Sequence, residues 1–136
     1  MTGEHQGALA GIRVVELGQL IAGPFCGQLL GDMGADVIKV EPPGAGDPFR
    51  VWGMGDEKVV WEVLARNKQS VSCNLRVPEG QALVRKLIAT ADVLIENFKP
   101  GTLEKWGLGP DVLHAENPGL IIARMSGYGQ NGPYSD

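Results

Sequence analysis

The sequence predicts an α/β fold built on an open, mostly parallel sheet with flanking helices. Short β-branched runs alternate along the chain with longer amphipathic stretches, which is typical of repeated βα units. The clearest unit joins a strand-like run at 12–17, through a Gly/Pro turn at 21–24, to a second run at 35–41. A loop at 42–47 rich in glycine and proline follows it, and α/β proteins usually hold small anionic ligands at such strand ends.

Each predicted strand is a short run rich in β-branched and apolar residues. We predict strands at 12–17, 36–40, 70–74, 92–96 and 119–125. The last run contains Leu120-Ile-Ile-Ala123, and no helix follows it in the chain, although a parallel sheet is covered on both faces. We therefore expect the chain to be a fragment whose missing part completes the sheet.

Four helices are predicted between these strands, at 23–33, 58–66, 79–90 and 110–116. Pro24 lies in the first turn of the first helix, and Gly34 lies just past its end, where each residue is favoured. The third helix begins after Pro78, and one of its faces is apolar. That face carries Ala82, Leu83, Leu87 and Ile88. The longest predicted loop, 42–56, contains four glycines and three prolines.

Composition excludes several classes of function. The 136 residues are 43% apolar, which indicates one small globular domain. A net charge of −4 and a pI near 5.1 disfavour nucleic acid as a partner. Cys26 and Cys73 show neither a C-x-x-C nor a metal spacing, so we expect no metal site, no structural disulfide and a reducing cytoplasm. The apolar runs are too short for a membrane span, and no export signal begins the chain.

The usual catalytic residues form no recognisable motif. His5 lies in a polar tail and His114 near a helix end, so both are interpreted as surface histidines. Two carboxylate pairs are interpreted as capping or solvated groups, Asp32 with Asp36 and Asp92 with Glu96. The glycines match neither the G-x-G-x-x-G nor the Walker pattern, which disfavours a nicotinamide or ATP site. We therefore assign no catalytic residue.

Two polar clusters remain, at 66–76 and at 96–106, and both follow or enter predicted strands. Basic and amide side chains at strand ends are positioned to hold a ligand in an open α/β sheet. For the first cluster an alternative is open, since Arg66 and Lys68 could equally form surface ion pairs.

The second cluster combines three kinds of side chain. Asn97 offers amide donors, Lys99 and Lys105 offer positive charge, and Phe98 and Trp106 offer flat faces for a purine. That combination suits a phosphorylated nucleotide. The alternative is a solvated loop whose aromatic residue folds onto the core.

Eight segments, in order over nearly the whole chain after residue 8, resemble one family. They lie at 9–17, 22–24, 31–41, 43–47, 66–68, 91–98, 100–101 and 126–133. On them the chain is identified as a member of the class III CoA-transferases, which include formyl-CoA transferase and carnitine CoA-transferase. By this resemblance residues 1–8 are a flexible N-terminal tail, and 9–136 are the N-terminal part of the family's large α/β domain.

The resemblance implies an open Rossmann-like sheet, a second smaller domain in full-length members, and two chains interlaced as a homodimer. It implies transfer of CoA from an acyl-CoA to a free carboxylic acid through anhydride and thioester intermediates on an aspartate. Coenzyme A is then a substrate, and no permanently bound cofactor is expected. The family aspartate lies well beyond the segment at 126–130, and Asp136 does not match it, so we expect this chain alone to be inactive.

The resemblance also assigns the contacts to CoA. Ile21 and Ala22 line the thioester end, and Lys105 lies where relatives place a basic residue near the phosphates. The body of CoA is assigned to Cys73, Asn74, Leu75, Arg76, Asn97, Phe98 and Lys99. Formyl-CoA transferase has glutamine at the position of Ile21 and arginine at that of Pro42. An apolar Ile21 therefore argues against formate or oxalate and suits a larger or partly apolar acyl group.

Two other functions stay open. The same family includes α-methylacyl-CoA racemases, which exchange the proton next to the thioester carbonyl. The racemases have a shorter stretch where this chain carries 49–68, which favours a transferase. The second alternative is a non-catalytic CoA-binding fragment.

Overall fold

The computed structural model describes residues 7–52 and 59–135, and its five strands form one parallel sheet. The strands are β1 (Arg13–Glu16), β2 (Asp36–Glu41), β3 (Lys68–Ser72), β4 (Val93–Glu96) and β5 (Ile121–Arg124). Their order across the sheet is β3-β2-β1-β4-β5, and every neighbouring pair is parallel. The predicted open parallel α/β fold is confirmed.

The strand order reverses at β1. The chain first adds β2 and β3 on one side of β1 and then places β4 and β5 on the other side. Open α/β sheets bind ligands outside the carboxyl ends of the strands, at the point of this reversal. The loops that follow β1 and β4 therefore frame the expected ligand crevice.

The helices confirm the four predicted ones and add two single turns. They are α1 (Ala22–Asp32), α2 (Val59–Ala65), α3 (Pro78–Ile88), α4 (Thr102–Lys105) and α5 (Pro110–Glu116), with a 3-10 turn at Pro48–Val51. The sequence does not predict α4 or the 3-10 turn, because one turn is too short to show helical periodicity. A left-handed Gly101, with φ of 82°, lets α4 begin directly after the β4 loop.

The predicted bounds of all five strands differ from the observed ones, by at most two residues. β3 begins at Lys68 rather than at residue 70, because its pairing with β2 starts there. Several sequence predictions fall outside the described residues. They concern the tail at 1–6, His5, the first residue of the second predicted helix (Lys58), and Asp136.

Two apolar layers cover the sheet. Val15 and Leu94 belong to the core that packs against α3, α4 and α5, whereas Val14 and Ile95 belong to the core beneath α1. Successive residues of a strand face opposite sides, so each of these strands serves both layers. The same alternation turns Glu16 toward the α1 side.

Candidate functional site

A cleft of about 650 Å³ opens at the carboxyl edge of the sheet. Its volume is within the range of about 300–1,000 Å³ that is usual for small-molecule sites. The floor includes Leu17, which follows β1, and Val40, which lies in β2. The walls include Cys73, Asn74, Leu75, Arg76, Phe98, Thr102 and Trp106. The structure therefore brings five of the predicted contact residues into one cleft, from the separate loops after β3 and β4.

The loop after β3 is held in a tight shape at one wall of the cleft. The Asn74 side-chain oxygen accepts a hydrogen bond from the Arg76 backbone N–H at 3.0 Å. A Cβ at Gly80 would lie 2.0 Å from the Asn74 carbonyl oxygen, so only glycine lets α3 start this close. Cys73 is buried, whereas the Arg76 side chain remains exposed at the cleft.

The opposite wall is aromatic. The rings of Phe98 and Trp106 meet edge to face, with centroids 5.2 Å apart. Both side chains are partly buried against the larger apolar core. Packing of these rings against the core does not separate the two interpretations of this cluster, because both rings also line the cleft.

Glu96 ends β4 beneath this wall. It is buried, accepts a hydrogen bond from the Phe98 backbone N–H at 2.7 Å and pairs with Arg124 at 2.7 Å. Of its two interpretations, the solvated carboxylate is therefore wrong, because the turn after β4 folds back over the strand end, whereas the hydrogen bond from Phe98 is a capping contact. The pair fixes the direction in which Phe98 leaves the sheet.

The loop between β1 and α1 is clamped by Asn97. The Asn97 Oδ1 atom accepts a hydrogen bond from the Gln19 N–H at 2.7 Å, and its Nδ2 atom donates to the Gln19 carbonyl at 2.9 Å. Gly18 and Gly23 approach so closely that a Cβ on Gly18 would lie 2.7 Å from the Gly23 Cα. The amide of Asn97 thus holds the loop that carries Ile21.

The remaining predicted contact residues lie around the crevice. Ile21 and Ala22 are exposed at the start of α1, and Ile21 is 49% exposed. Lys99 lies in a second, shallower pocket of about 370 Å³, which it shares with Asn97, Phe98, Tyr128 and Tyr134. Lys105 is exposed on α4 beside Trp106. Phe98 therefore separates two adjoining pockets.

Beneath these loops lies a buried cluster of charges that the sequence does not predict, formed by Glu16, Lys39, Asp47 and Lys68. The Lys39 Nζ atom is 2.8 Å from Glu16 Oε1, 2.8 Å from Asp47 Oδ2 and 2.8 Å from the Gly18 carbonyl oxygen. The sequence signal was present, since Glu16 and Lys39 are each flanked on both sides by apolar residues.

Lys68 completes the cluster from β3. Its Nζ atom lies 2.7 Å from Glu16 Oε2 and donates to the Pro24 carbonyl at 2.6 Å. Burial lowers the pKa of Lys68, and the neighbouring Glu16 acts in the opposite direction. The prediction of a surface ion pair is therefore confirmed for Arg66, which pairs with Asp32, and wrong for Lys68, whose side chain is 2% exposed.

A second buried carboxylate anchors the loop after β2. Glu41 accepts hydrogen bonds from Arg50, from the Ser70 hydroxyl and from the Asp47 backbone N–H. Burial acts to raise the pKa of Glu41, but these hydrogen bonds outweigh it and lower the pKa to about 2. The Arg50 guanidinium also lies 4.2 Å from the centre of the Trp61 ring.

The other candidate residues have ordinary roles. His114 is exposed and its ring lies 2.9 Å from the Leu120 carbonyl, as expected for a surface histidine. Across residues 7–52 and 59–135, no group of His, Cys, Asp or Glu side chains has the geometry of a metal site. The helices in the same described ranges are too short or too polar to cross a membrane.

Comparison with known proteins gives a match over most of the chain. The model of CoA-transferase family III matches residues 9–136. A succinyl-CoA–D-citramalate CoA-transferase of Chloroflexus aurantiacus is 62% identical over 128 residues, which are 92% of this chain and 32% of that protein. The beta subunit of a succinyl-CoA–L-malate CoA-transferase of the same species is 56% identical, over 94% of this chain and 32% of that subunit.

The fold comparison agrees. A crystal structure of a CAIB/BAIF family protein from Brucella suis matches with a TM-score of 0.87 and 46% identity, over 95% of this chain and 36% of that one. The chain therefore spans about a third of the length of the relatives it matches.

Proposed function

Because the chain belongs to CoA-transferase family III, we propose that it supplies much of the CoA-binding part of an enzyme that transfers CoA from an acyl-CoA to a free carboxylic acid. Residues 9–136 form the N-terminal part of its large α/β domain. The observation that carries the proposal is the cleft. Two loops that the resemblance assigns to CoA, at 73–76 and at 97–99, contribute to its opposite sides.

The side chains around the cleft suit the parts of CoA. Phe98 and Trp106 offer apolar surface and ring edges to the adenine or the pantetheine chain. The exposed Arg76 offers a guanidinium to a phosphate, and Lys99 and Lys105 offer further positive charge on the β4 side. CoA binds as a substrate in this proposal, and not as a resident cofactor.

The acyl end belongs at the start of α1. Asn97 holds the loop that presents Ile21, and this apolar side chain is half exposed. It suits the carbon chain of an acyl group larger than formyl. Since the two relatives above are named for succinyl-CoA with D-citramalate and with L-malate, we infer succinyl-CoA as the donor and a dicarboxylic acid as the acceptor.

The chemistry proceeds on an aspartate outside residues 9–136. Its carboxylate attacks the thioester carbonyl and releases CoA thiolate, which leaves a mixed anhydride. The thiolate attacks the aspartyl carbonyl of that anhydride, so that the donor acid departs and an aspartyl-CoA thioester remains. The acceptor carboxylate then reverses the two steps and leaves as its CoA ester.

The functional unit is proposed to be an interlaced homodimer. A relative named as a subunit supports assembly of more than one chain in this family. Cys26 and Cys73 are both free thiols, which is consistent with work in a reducing cytoplasm.

The reaction class is tested with the full-length enzyme, succinyl-CoA and a set of dicarboxylic acids. A transferase forms a new acyl-CoA only when an acceptor is present. Turnover of acyl-CoA without an acceptor would contradict the proposal. Exchange of the α-proton with deuterated water in the absence of an acceptor would indicate the racemase instead. Binding of CoA without either reaction would indicate a non-catalytic module.

The CoA contacts are tested by Arg76→Ala and Lys105→Ala. If either residue meets the 3′-phosphate, its removal should weaken binding of CoA by about 10- to 150-fold and binding of 3′-dephospho-CoA much less, since a charged hydrogen bond contributes about 1.5–3 kcal/mol. Isothermal titration measures both ligands, and Arg13→Ala serves as the matched control, because Arg13 begins β1 at the edge of the sheet opposite the cleft. Equal losses for the two ligands would refute the assignment to that phosphate.

A further inference from the structure

The buried cluster of Glu16, Lys39, Asp47 and Lys68 has no role in the chemistry above, and we propose that Lys39 is a positioning residue for the acyl end of the cleft. It does so by joining the loop after β1 to the loop after β2. This inference rests on the proposed function, because it concerns the geometry of the same site.

One ammonium group connects both loops. The Lys39 Nζ atom touches the Gly18 carbonyl in the loop after β1 and Asp47 Oδ2 in the loop after β2, each at 2.8 Å. Its third contact, to Glu16 at 2.8 Å, fixes it to the end of β1. A displacement of Lys39 therefore releases both loops together.

Asp47 extends the connection to the residue next to Ile21. Its Oδ1 atom accepts hydrogen bonds from the Leu20 N–H at 3.1 Å and from the Phe49 N–H at 2.8 Å. Because Oδ2 faces Lys39 and Oδ1 accepts from the two backbone donors, the Asp47 carboxylate links Lys39 to the backbone of both loops. The orientation of the loop before Ile21 therefore depends on where Lys39 holds Asp47.

Leu20 has an unfavourable backbone conformation that its neighbours must stabilise. Its φ is 62°, in the left-handed region that residues with a side chain rarely adopt. The side chain is 41% exposed, so little packing compensates for this conformation. The hydrogen bond to Asp47, together with the Asn97 clamp on Gln19, is what keeps the backbone there.

The burial of the cluster also argues against a role in stability alone. All four side chains are at most 2% exposed. Buried ion pairs are often no more stabilising than apolar residues of the same size, because their desolvation offsets their attraction. The charged contacts instead fix the positions of particular loop atoms.

The test uses Asp47→Asn in the full-length enzyme, which keeps a side-chain oxygen but removes the charge that faces Lys39. We expect kcat of CoA transfer to fall by about tenfold or more while KM for the acyl-CoA stays within about twofold. Amide hydrogen exchange in a peptide covering 17–24 should also become faster. Should this variant fail to fold, Asp47→Ser replaces it, because serine still caps Phe49 but is too short to reach Lys39.

Arg13→Met is the matched control, since Arg13 begins β1 at the amino edge of the sheet, opposite the cleft, and pairs with Asp36 at the surface. It should leave kcat and the exchange at 17–24 unchanged. If Asp47→Asn lowers only the thermal midpoint, with kcat and loop exchange as in the wild type, the cluster is merely structural and the inference is overturned. If the wild type transfers no CoA, the proposed function fails, but the exchange measurement still decides whether Lys39 and Asp47 hold the loop.

Discussion

Replacement of Gly27 by alanine tests how rigidly the buried charges are fixed. Gly27 lies on the face of α1 that packs on the sheet, and a Cβ there would be 2.0 Å from Glu16 Oε2 and 3.3 Å from Lys68 Nζ. Glu16 cannot swing away, because Lys39 holds its other oxygen at 2.8 Å. The new methyl group must therefore separate Glu16 from Lys68 or push α1 off the sheet.

The expected magnitude follows from three effects. Separation of a buried ion pair costs about 3–5 kcal/mol, and forcing an extra methyl group into a packed site costs about 1–3 kcal/mol. Alanine in place of glycine in a helix returns about 1 kcal/mol. Because the new methyl group overlaps the Glu16 oxygen that faces Lys68, we expect separation of the ion pair, and its cost less the gain from alanine lowers the free energy of unfolding by about 2–4 kcal/mol.

Urea denaturation of the variant and of the unaltered chain measures this change. Gly31→Ala is the matched control on the same helix, because its Cβ would lie 3.3 Å from the nearest atoms, which belong to Asn67. Its free energy of unfolding should stay within about 1 kcal/mol of the parent value. If Gly27→Ala is as mild as Gly31→Ala, Glu16 is free to move and the cluster is not a rigid support.

Two further predictions concern other buried polar groups. The pKa of Glu41 in the folded chain is about 2, below its usual 4.5, so the stability it contributes is present above pH 4.5 and is lost as the pH falls toward 2. Arg50→Gln should raise that pKa, lower the free energy of unfolding at pH 7 and flatten its decline over this acid range; urea titrations with an unchanged acid slope would contradict the assignment. Asn97→Ala removes both hydrogen bonds to Gln19 and should lower the free energy of unfolding by about 1–3 kcal/mol, with a matching increase in hydrogen exchange of the Gln19 amide. Unchanged exchange would show that Asn97 is not the clamp.

The sequence predicts the sheet well because apolar β-branched runs and the turns between them are local signals. It misplaces the start of β3, where Lys68-Gln-Ser-Val-Ser72 contains one apolar residue and only pairing with β2 defines the strand. Four helices follow from their periodicity, whereas α4 depends on one left-handed glycine.

The sequence predicts those residues of the site that come directly after a strand. Cys73 and Phe98 each come after a strand, and parallel topology alone brings their loops to one edge. The role of Lys68 is not predictable in this way. Its burial depends on Glu16 two strands away and on a glycine of α1, which are contacts distant along the chain.

The alternation of β2 gives the charged cluster a consequence for folding. Lys39 lies on the α1 side of the sheet, and its neighbour Val40 lies in the apolar core on the other side. A shift of β2 by one residue would turn Lys39 into that core, where an unpaired ammonium group is strongly disfavoured, and would leave Glu16 without its partner. The correct register therefore forms ion pairs that a shifted register loses. The side chains proposed to position the loops thus also disfavour incorrect pairing of β2 during folding.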